Sequence, residues 1–511
     1  MCISSDSLVA SCGYVLENCS GKENGRSGDV GGRSFIDEYL GWLLKIKVVE
    51  ELMLLGKIAF PMAISSLLLH SKSIISMLFL GHLGDIELAG GSLAIGFANV
   101  TGYSLIKGLA MGMEPMCCQA YGAKKWAILS QTYKKTLCIL FLATIPISLL
   151  WLYMEPILLW SGQDQNVTSI ARVYITYSIP ELLAQAHLLP LRIFMRTQNL
   201  TKPVAIGVIF ATILHFPINY LLIIHLNLGV KGVALASFWN TINLSLGLLA
   251  YLILSRTAIK PWRNKQLVDT YNERWQPLIA LMLPSVLSVC LEWWWYEIML
   301  LLCGLQDNPQ ASVAAMGILI QATGLLYVVP YSLSTGLSTR VGQELGAGHP
   351  SQARRATIVG LIVSFICGLL TFAFTISVKD WWGKMYTKEQ QILDLTSLAL
   401  PIVGVCELGN CPQTAACGVL IGSARPEVGA YVNFSAFYLI GLPVSILLAF
   451  KLKMGFMGLL FGLAASQASC VCLMMYVLVC TDWKHQAERA KELTQITDED
   501  GKNDLEANLL K

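Results

Sequence analysis

Residues 112–123, GMEPMCCQAYGA, and residues 336–347, GLSTRVGQELGA, carry the reading on which the fold turns. They match at Gly112 and Gly336, Gln119 and Gln343, Gly122 and Gly346, and Ala123 and Ala347. The same shift, allowed to drift by up to three residues, pairs Pro61 with Pro284, Gly81 with Gly304, Pro203 with Pro426, Pro217 with Pro443 and Gly232 with Gly458. The chain is therefore a tandem repeat, and each copy holds six apolar stretches. Because six is even, both copies cross a membrane in the same sense, the parallel-repeat plan of transporters whose halves are related by an axis along the membrane normal. In that plan the substrate path runs between the halves.

Composition agrees. Of 511 residues 55% are hydrophobic and 14% charged, with mean hydropathy +0.58, where a soluble protein carries about 25% charged residues; a soluble enzyme is excluded. A spanning helix needs about 20 apolar residues. Such stretches fall near 58–80, 92–113, 136–160, 172–192, 204–225, 233–255, 276–303, 312–337, 356–378, 392–418, 428–450 and 456–480. The expected fold is an all-α membrane protein, twelve transmembrane helices in two parallel six-helix lobes. Residues 1–50 read as a partly disordered N-terminal segment, 51–255 as the first lobe, 256–275 as a linker, 276–480 as the second lobe and 481–511 as a tail. That tail opens with a short amphipathic helix, WKHQAERAKEL. The start is polar and Gly/Ser-interrupted, so no cleavable signal is expected and the first span targets the chain. A net charge of +3 leaves no footprint for a nucleic-acid partner. The fifteen cysteines lie mostly in apolar runs and form no ligand-spaced set with His, so neither disulfides nor zinc are expected.

Lys and Arg collect in alternate loops: Lys124, Lys125, Lys134, Lys135, Arg196, Lys202, Arg256, Lys260, Arg263, Lys265, Arg274, Arg340, Arg354, Arg355 and Arg425. The intervening loops hold Lys231, Lys379, Lys384, Lys388, Lys451 and Lys453. Both termini and the linker are expected in the cytoplasm. One glycosylation sequon, Asn166-Val167-Thr168, then faces the other side.

A charge at the bilayer centre costs at least ~2.5–3.5 kcal/mol, so ionisable residues inside spans are functional candidates. They are Lys72, Lys107, Glu114, Glu292, Glu297 and Glu407. Glu292 and Glu297 share span 7 but sit about 140° apart on a regular helix. They cannot both face one cavity squarely. Glu407 lies between Pro401 and Pro412, with Asn410 and Cys411 on nearly the same face. Pro412 lacks an amide hydrogen and should free the carbonyl of Leu408 or a neighbour; a carboxylate beside broken backbone suits a ligand or ion. At the repeat shift Glu292 and Glu297 correspond to Leu69 and Ile74, so the acidic chemistry is expected in the second half. Lys72 sits about 12 Å from the end of its span, beyond comfortable snorkelling, and would pair with an acid or attract an anion. Lys107 is expected to snorkel. Glu114 should bond local amides, and Arg192 and Arg196 should anchor the cytoplasmic end of span 4. Trp293, Trp294 and Trp295 point in three directions, so at most two can line a pocket.

Several motifs then agree in order and spacing: Pro61 with GHLG at 81–84, QAYGA at 119–123, Arg196 and Pro203 after span 4, EWWWYE at 292–297, and ELGNCPQTAACGVLIGSARP at 407–426. Together they resemble the MATE (multidrug and toxic compound extrusion) antiporters, over essentially all twelve spans, and the plant DETOXIFICATION branch in particular. The resemblance implies a multidrug or metabolite efflux transporter in which acids of spans 7 and 10 exchange protons for organic substrates. That role falls on Glu292 and Glu297 directly. In span 10 many relatives place the acid where this chain has Asn410, so Glu407, one turn earlier, stands as a shifted substitute. Where bacterial members often have an Asp in span 1 this chain has Ser76, and where plant relatives commonly read Leu-Arg-Gly it has Leu420-Ile421-Gly422.

Among enzyme signatures the chain has no Walker A sequence, HExxH, nucleophile elbow or Rossmann glycine pattern. Energy would come from a proton gradient, with no cofactor or metal. A carboxyl kept from water favours its neutral form, so it can be protonated in one facing state and ionised in the other. The expected site is Glu292, Glu297, Glu407 and Asn410, with Lys72, Trp293, Cys411 and Pro412 as accessories. Partners would be an organic small molecule, protons and lipid around a monomer, in the plasma membrane or an endomembrane such as the vacuole's. Rival readings are a non-transporting sensor or adaptor on the same fold, and a lipid flippase.

Overall fold

The computed structural model describes residues 48–255, 275–306 and 308–494. The expected N-terminal segment up to 47, the linker up to 274 and the tail beyond 494 lie outside them. Each lobe contains six spans. In the first they are α1 (Val48–Leu83), α2 and α3 (Asp85–Ala98 and Ser104–Met111, joined by a π-turn, Asn99–Tyr103), α5 (Trp126–Leu152), α7 (Gln165–Thr197), α8 (Thr201–Tyr220) and α9 (Val230–Leu254). Short helices α4 (Glu114–Gly122) and α6 (Met154–Trp160) follow spans 2 and 3. In the second lobe the spans are α10 (Gln276–Cys303), α11 with α12 (Pro309–Leu326 and Val328–Gly346), α13 (Pro350–Trp382), α14 (Gln390–Gly422), α15 with α16 (Pro426–Asn433 and Leu442–Ile446) and α17 (Gly455–Val479). A final helix covers 483–494, where the amphipathic pattern placed it.

Ten of these helices are long and apolar enough to cross a membrane. Span 2 falls short because Gly90, Gly91, Ser92, Asn99, Thr101, Gly102 and Ser104 dilute its apolar residues, and span 4 because it carries Arg172, Glu181, His187, Arg192 and Arg196. The repeat reaches even the irregularities. The π-turn at 99–103 corresponds to 323–327, where span 8 breaks at Tyr327, and spans 5 and 11 both end in π-turns, Leu221–His225 and Leu447–Lys451.

Two cores form, one per lobe. The first gathers around Trp151, Phe194 and Leu140, the second around Trp295, Phe437 and Leu337. The lobes meet where span 2 packs on span 7 and span 8 on span 1, and most tightly where the repeated motifs cross. A methyl at Gly122 would overlap the Gln343 backbone, and a methyl at Gly346 the Gln119 backbone. Only glycine lets two backbones approach so closely. Side chains complete this seal: Gln343 Nε2 donates to Thr197 O at 2.8 Å, Gln119 Nε2 to Gly422 O at 3.1 Å, and Arg340 Nε to Glu51 Oε1 at 2.9 Å. Glu51 also faces Arg355 at 3.6 Å.

The face bearing residues 48 and 494 is the terminal face. Among the described residues, the hydrogen bonds and ion pairs joining the lobes lie between that face and the level of Val100, whose carbonyl accepts from Trp294 Nε1. The lobes are thus cross-linked on the terminal half alone. The final helix lies across the same face: Lys125 of the first lobe donates to Thr494 O at 2.8 Å, and Arg489 meets Glu427 of the second lobe at 3.5 Å.

Candidate functional site

Span 10 stays helical through Pro401 and Pro412. Pro412 leaves one carbonyl without its usual donor, as the sequence reading expects, and the helix continues unbroken to Gly422. One face of it presents Glu407, Asn410, Cys411 and Thr414, all buried. Asn410 Nδ2 donates to Glu407 Oε2 at 3.0 Å, and the Cys411 thiol lies 3.9 Å from the same oxygen. Thr414 Oγ1 donates on to Asn410 Oδ1 at 3.4 Å. Asn410 therefore holds the acid one turn away. Gly368 of span 9 lets the two helices touch along this stretch: a methyl there would lie 3.2 Å from Glu407 O.

Glu292 comes from span 7 into the same lobe interior. It lies close to the Tyr327 hydroxyl at the break in span 8, and within electrostatic reach of Cys417 on span 10 and Cys470 on span 12. Tyr296, one turn along span 7, lies within reach of both Glu292 and Glu407. Both carboxyls thus reach the polar interior around Tyr296, the chamber of the second lobe. Tyr296 also lines an apolar pocket with Trp295, Met299, Met316, Leu319 and Val403, which neither carboxyl enters.

Glu297 is not in this chamber. It stands one turn from Trp293 on the face turned to span 2, half-buried, and has no hydrogen-bond or ion-pair partner among the described residues. The three tryptophans diverge: Trp295 is fully buried against Phe437 at 5.4 Å, Trp294 bonds Val100 O across the lobe boundary, and Trp293 faces Lys107.

Several expectations are corrected. Lys107 does not snorkel: its ammonium sits 4.7 Å from the ring centres of both Trp293 and Tyr331, so aromatic faces of the opposite lobe replace its hydration. Glu114 and Arg196 are not interfacial. Both are buried and form an ion pair with each other, because α4 folds back against span 4 inside the lobe. Nor is acidic chemistry confined to the second half. Glu181 of span 4 is buried and holds Lys72 at 2.7 Å, with Thr241 Oγ1 donating to it at 3.3 Å. Lys72 Nζ also reaches Ser237 O at 3.4 Å. Beside this pair His215 Nε2 lies 3.1 Å from Ser76 Oγ and 3.0 Å from Asn219 Nδ2. Lys72 is therefore neutralised rather than free for an anion. The signal for Glu181 is in the sequence, an acid beside Pro180 in the middle of a predicted span.

Comparison with known proteins matches the MatE family over residues 61–221 and 284–447, one block in each lobe. Protein DETOXIFICATION 53 of Arabidopsis thaliana is 51% identical over 483 residues, covering 91% of this chain and 99% of the relative. Protein DETOXIFICATION 48 of the same plant is 50% identical, covering 89% and 85%. Among solved structures, the eukaryotic MATE transporter AtDTX14 superposes with a TM-score of 0.81 at 32% identity, covering 87% of this chain and 99% of that one. A point mutant of the Vibrio cholerae MATE transporter VcmN shares the fold, with a TM-score of 0.75 at 20% identity over 86% of this chain and 99% of its own.

Proposed function

Because the chain belongs to the DETOXIFICATION branch of the MATE family of membrane transporters, we propose that it is a secondary active antiporter exchanging protons for an organic compound. Glu292 and Glu407 are the carboxyls that trade a hydrogen ion for cargo. The observation that carries this reading is their common surroundings: two acids from different helices, both within electrostatic reach of Tyr296, with neither making an ion pair among the described residues. A structural carboxylate in the membrane would be expected to have such a partner, as Glu181 has in Lys72.

An unpaired carboxyl is tolerated in low dielectric when protonated, and a proton leaving it creates a charge that a bound group or water must compensate. Proton and cargo would then compete for the same oxygens as the lobes rock. Asn410 and Tyr327 orient the two carboxyls, and Pro412 with Cys411 shapes the wall behind Glu407. The alternate loops rich in Lys and Arg adjoin the terminal face, which supports a cytoplasmic position for that face. The cleft then closes toward the cytoplasm and opens to the other side. The adaptor and flippase readings gain no specific support from the site.

The test is proton-driven uptake of a fluorescent organic cation into inside-out proteoliposomes. Glu407→Gln and Glu292→Gln should each reduce gradient-dependent uptake at least ~100-fold, the lower end for loss of a proton-transfer group. Wild-type rates in both variants would end this reading.

A further inference from the structure

From the positive floor of the central cleft we infer a subsite for a carboxylate, so that the transported compound bears an anionic group besides whatever exchanges with the proton on Glu292. Just beyond the seal, the Tyr331 hydroxyl of the second lobe lies within electrostatic reach of Lys107, Arg196 and Arg192 of the first, with Glu114 the one acid in that set. Glu114 is taken by Arg196 in an ion pair. Arg192, one turn along the same face of span 4, has no partner: its buried Nε makes no hydrogen bond, and no ion pair reaches it among the described residues.

An unmatched guanidinium at this depth is costly, and its fork of donors fits a planar carboxylate. Lys107, Arg192, Trp293, Tyr327 and Tyr331 come from both lobes and face one another, yet each stays partly exposed. They meet at the lobe boundary, since Lys107 of the first lobe sits over the rings of Trp293 and Tyr331 of the second. Lys107 is held there by the rings of Trp293 and Tyr331, with its ammonium aimed across the lobe boundary rather than toward the terminal face. Tyr331 stacks on Tyr327 at 5.8 Å between ring centres, and the Tyr327 hydroxyl lies close to Glu292. The basic floor and the acidic chamber are therefore adjacent parts of one cleft. A molecule with a carboxylate at one end and a hydrogen-bonding or basic group at the other would satisfy both.

This inference rests on the transport reading but is tested apart from it, by equilibrium binding at fixed pH with no gradient. Full-length protein in phosphatidylcholine nanodiscs is titrated with radiolabelled benzoate and, separately, with tetraethylammonium. Benzoate should bind, and Arg192→Gln and Lys107→Gln should each weaken it about 10-fold or more, as expected on losing a charge-assisted hydrogen bond. Arg192→Lys should recover part of the loss, and none of these variants should weaken tetraethylammonium. If Arg192→Gln does not fold, Lys107→Gln and Tyr331→Phe carry the test, the latter with about a threefold loss. The subsite is refuted if benzoate fails to bind the wild type, if it binds the folded variants unchanged, or if phosphatidylglycerol in the disc displaces it completely.

Discussion

Replacing Gly122 with alanine should open the terminal face. The new methyl would lie 2.8 Å from the Gln343 carbonyl carbon, 3.0 Å from the Ala347 amide nitrogen and closer still to the Gln343 oxygen. All three are backbone atoms of the other lobe, so no change of rotamer relieves the overlap and the lobes themselves must separate. Overpacking of this kind costs about 1–3 kcal/mol, and the cost falls on the sealed state alone. That difference shifts a two-state equilibrium about 5- to 150-fold toward the opposite facing state. Gly346→Ala repeats the contact against the Gln119 backbone from the other side. Cys118 supplies the readout, since it is fully buried and its Cβ packs on Gly342 across the seal. A membrane-impermeant maleimide applied to the terminal face, with labelling of Cys118 quantified by mass spectrometry, should react faster by that factor in either variant. Wild-type labelling rates in both, with the protein monodisperse, would refute the argument.

Glu51→Gln removes the partner of Arg340 and Arg355 at the same seal; it should raise Cys118 labelling severalfold, while Glu344, still paired with Arg340, keeps the helix end in place. In the first lobe, Lys72→Met alone strands a buried Glu181 and should cost about 3–5 kcal/mol, whereas Lys72→Met with Glu181→Met should return to within about 1 kcal/mol of wild type. A double-mutant cycle of thermal stability in detergent checks this, and additive losses would show that the pair is not coupled.

The fold was legible because its decisive residues repeat. Gly122 and Gly346, with Gln119 and Gln343, recur at one spacing and turn out to be the crossing point of the lobes, so the repeat encodes a contact as well as a symmetry. Span ends were less legible. The first span reads as 58–80 from hydropathy, yet its helix begins at Val48, because Glu51 and Leu55 pack on the other lobe rather than in lipid. At the site, helix geometry alone separates Glu292 from Glu297, and the structure puts the first in the chamber and the second on the face toward span 2. It could not supply partners from distant helices. Lys72 stood out as costly, but Glu181 lies 109 residues away in the chain. Lys107 looked like a snorkelling cation because its two aromatic rings belong to the opposite lobe.

The helix at 483–494 holds Lys125 through Thr494 and Glu427 through Arg489, so on the antiport reading proposed above it spans a joint whose two sides would move apart in every cycle. One of those grips has to let go or slide each time. On that reading the helix would be a strap whose tension varies with turnover, and a fluorophore on the exposed Lys491 would sense the motion without entering the cleft. By the same logic, a bulky tag fused at this end loads the moving part, and measured rates would describe the tag along with the carrier.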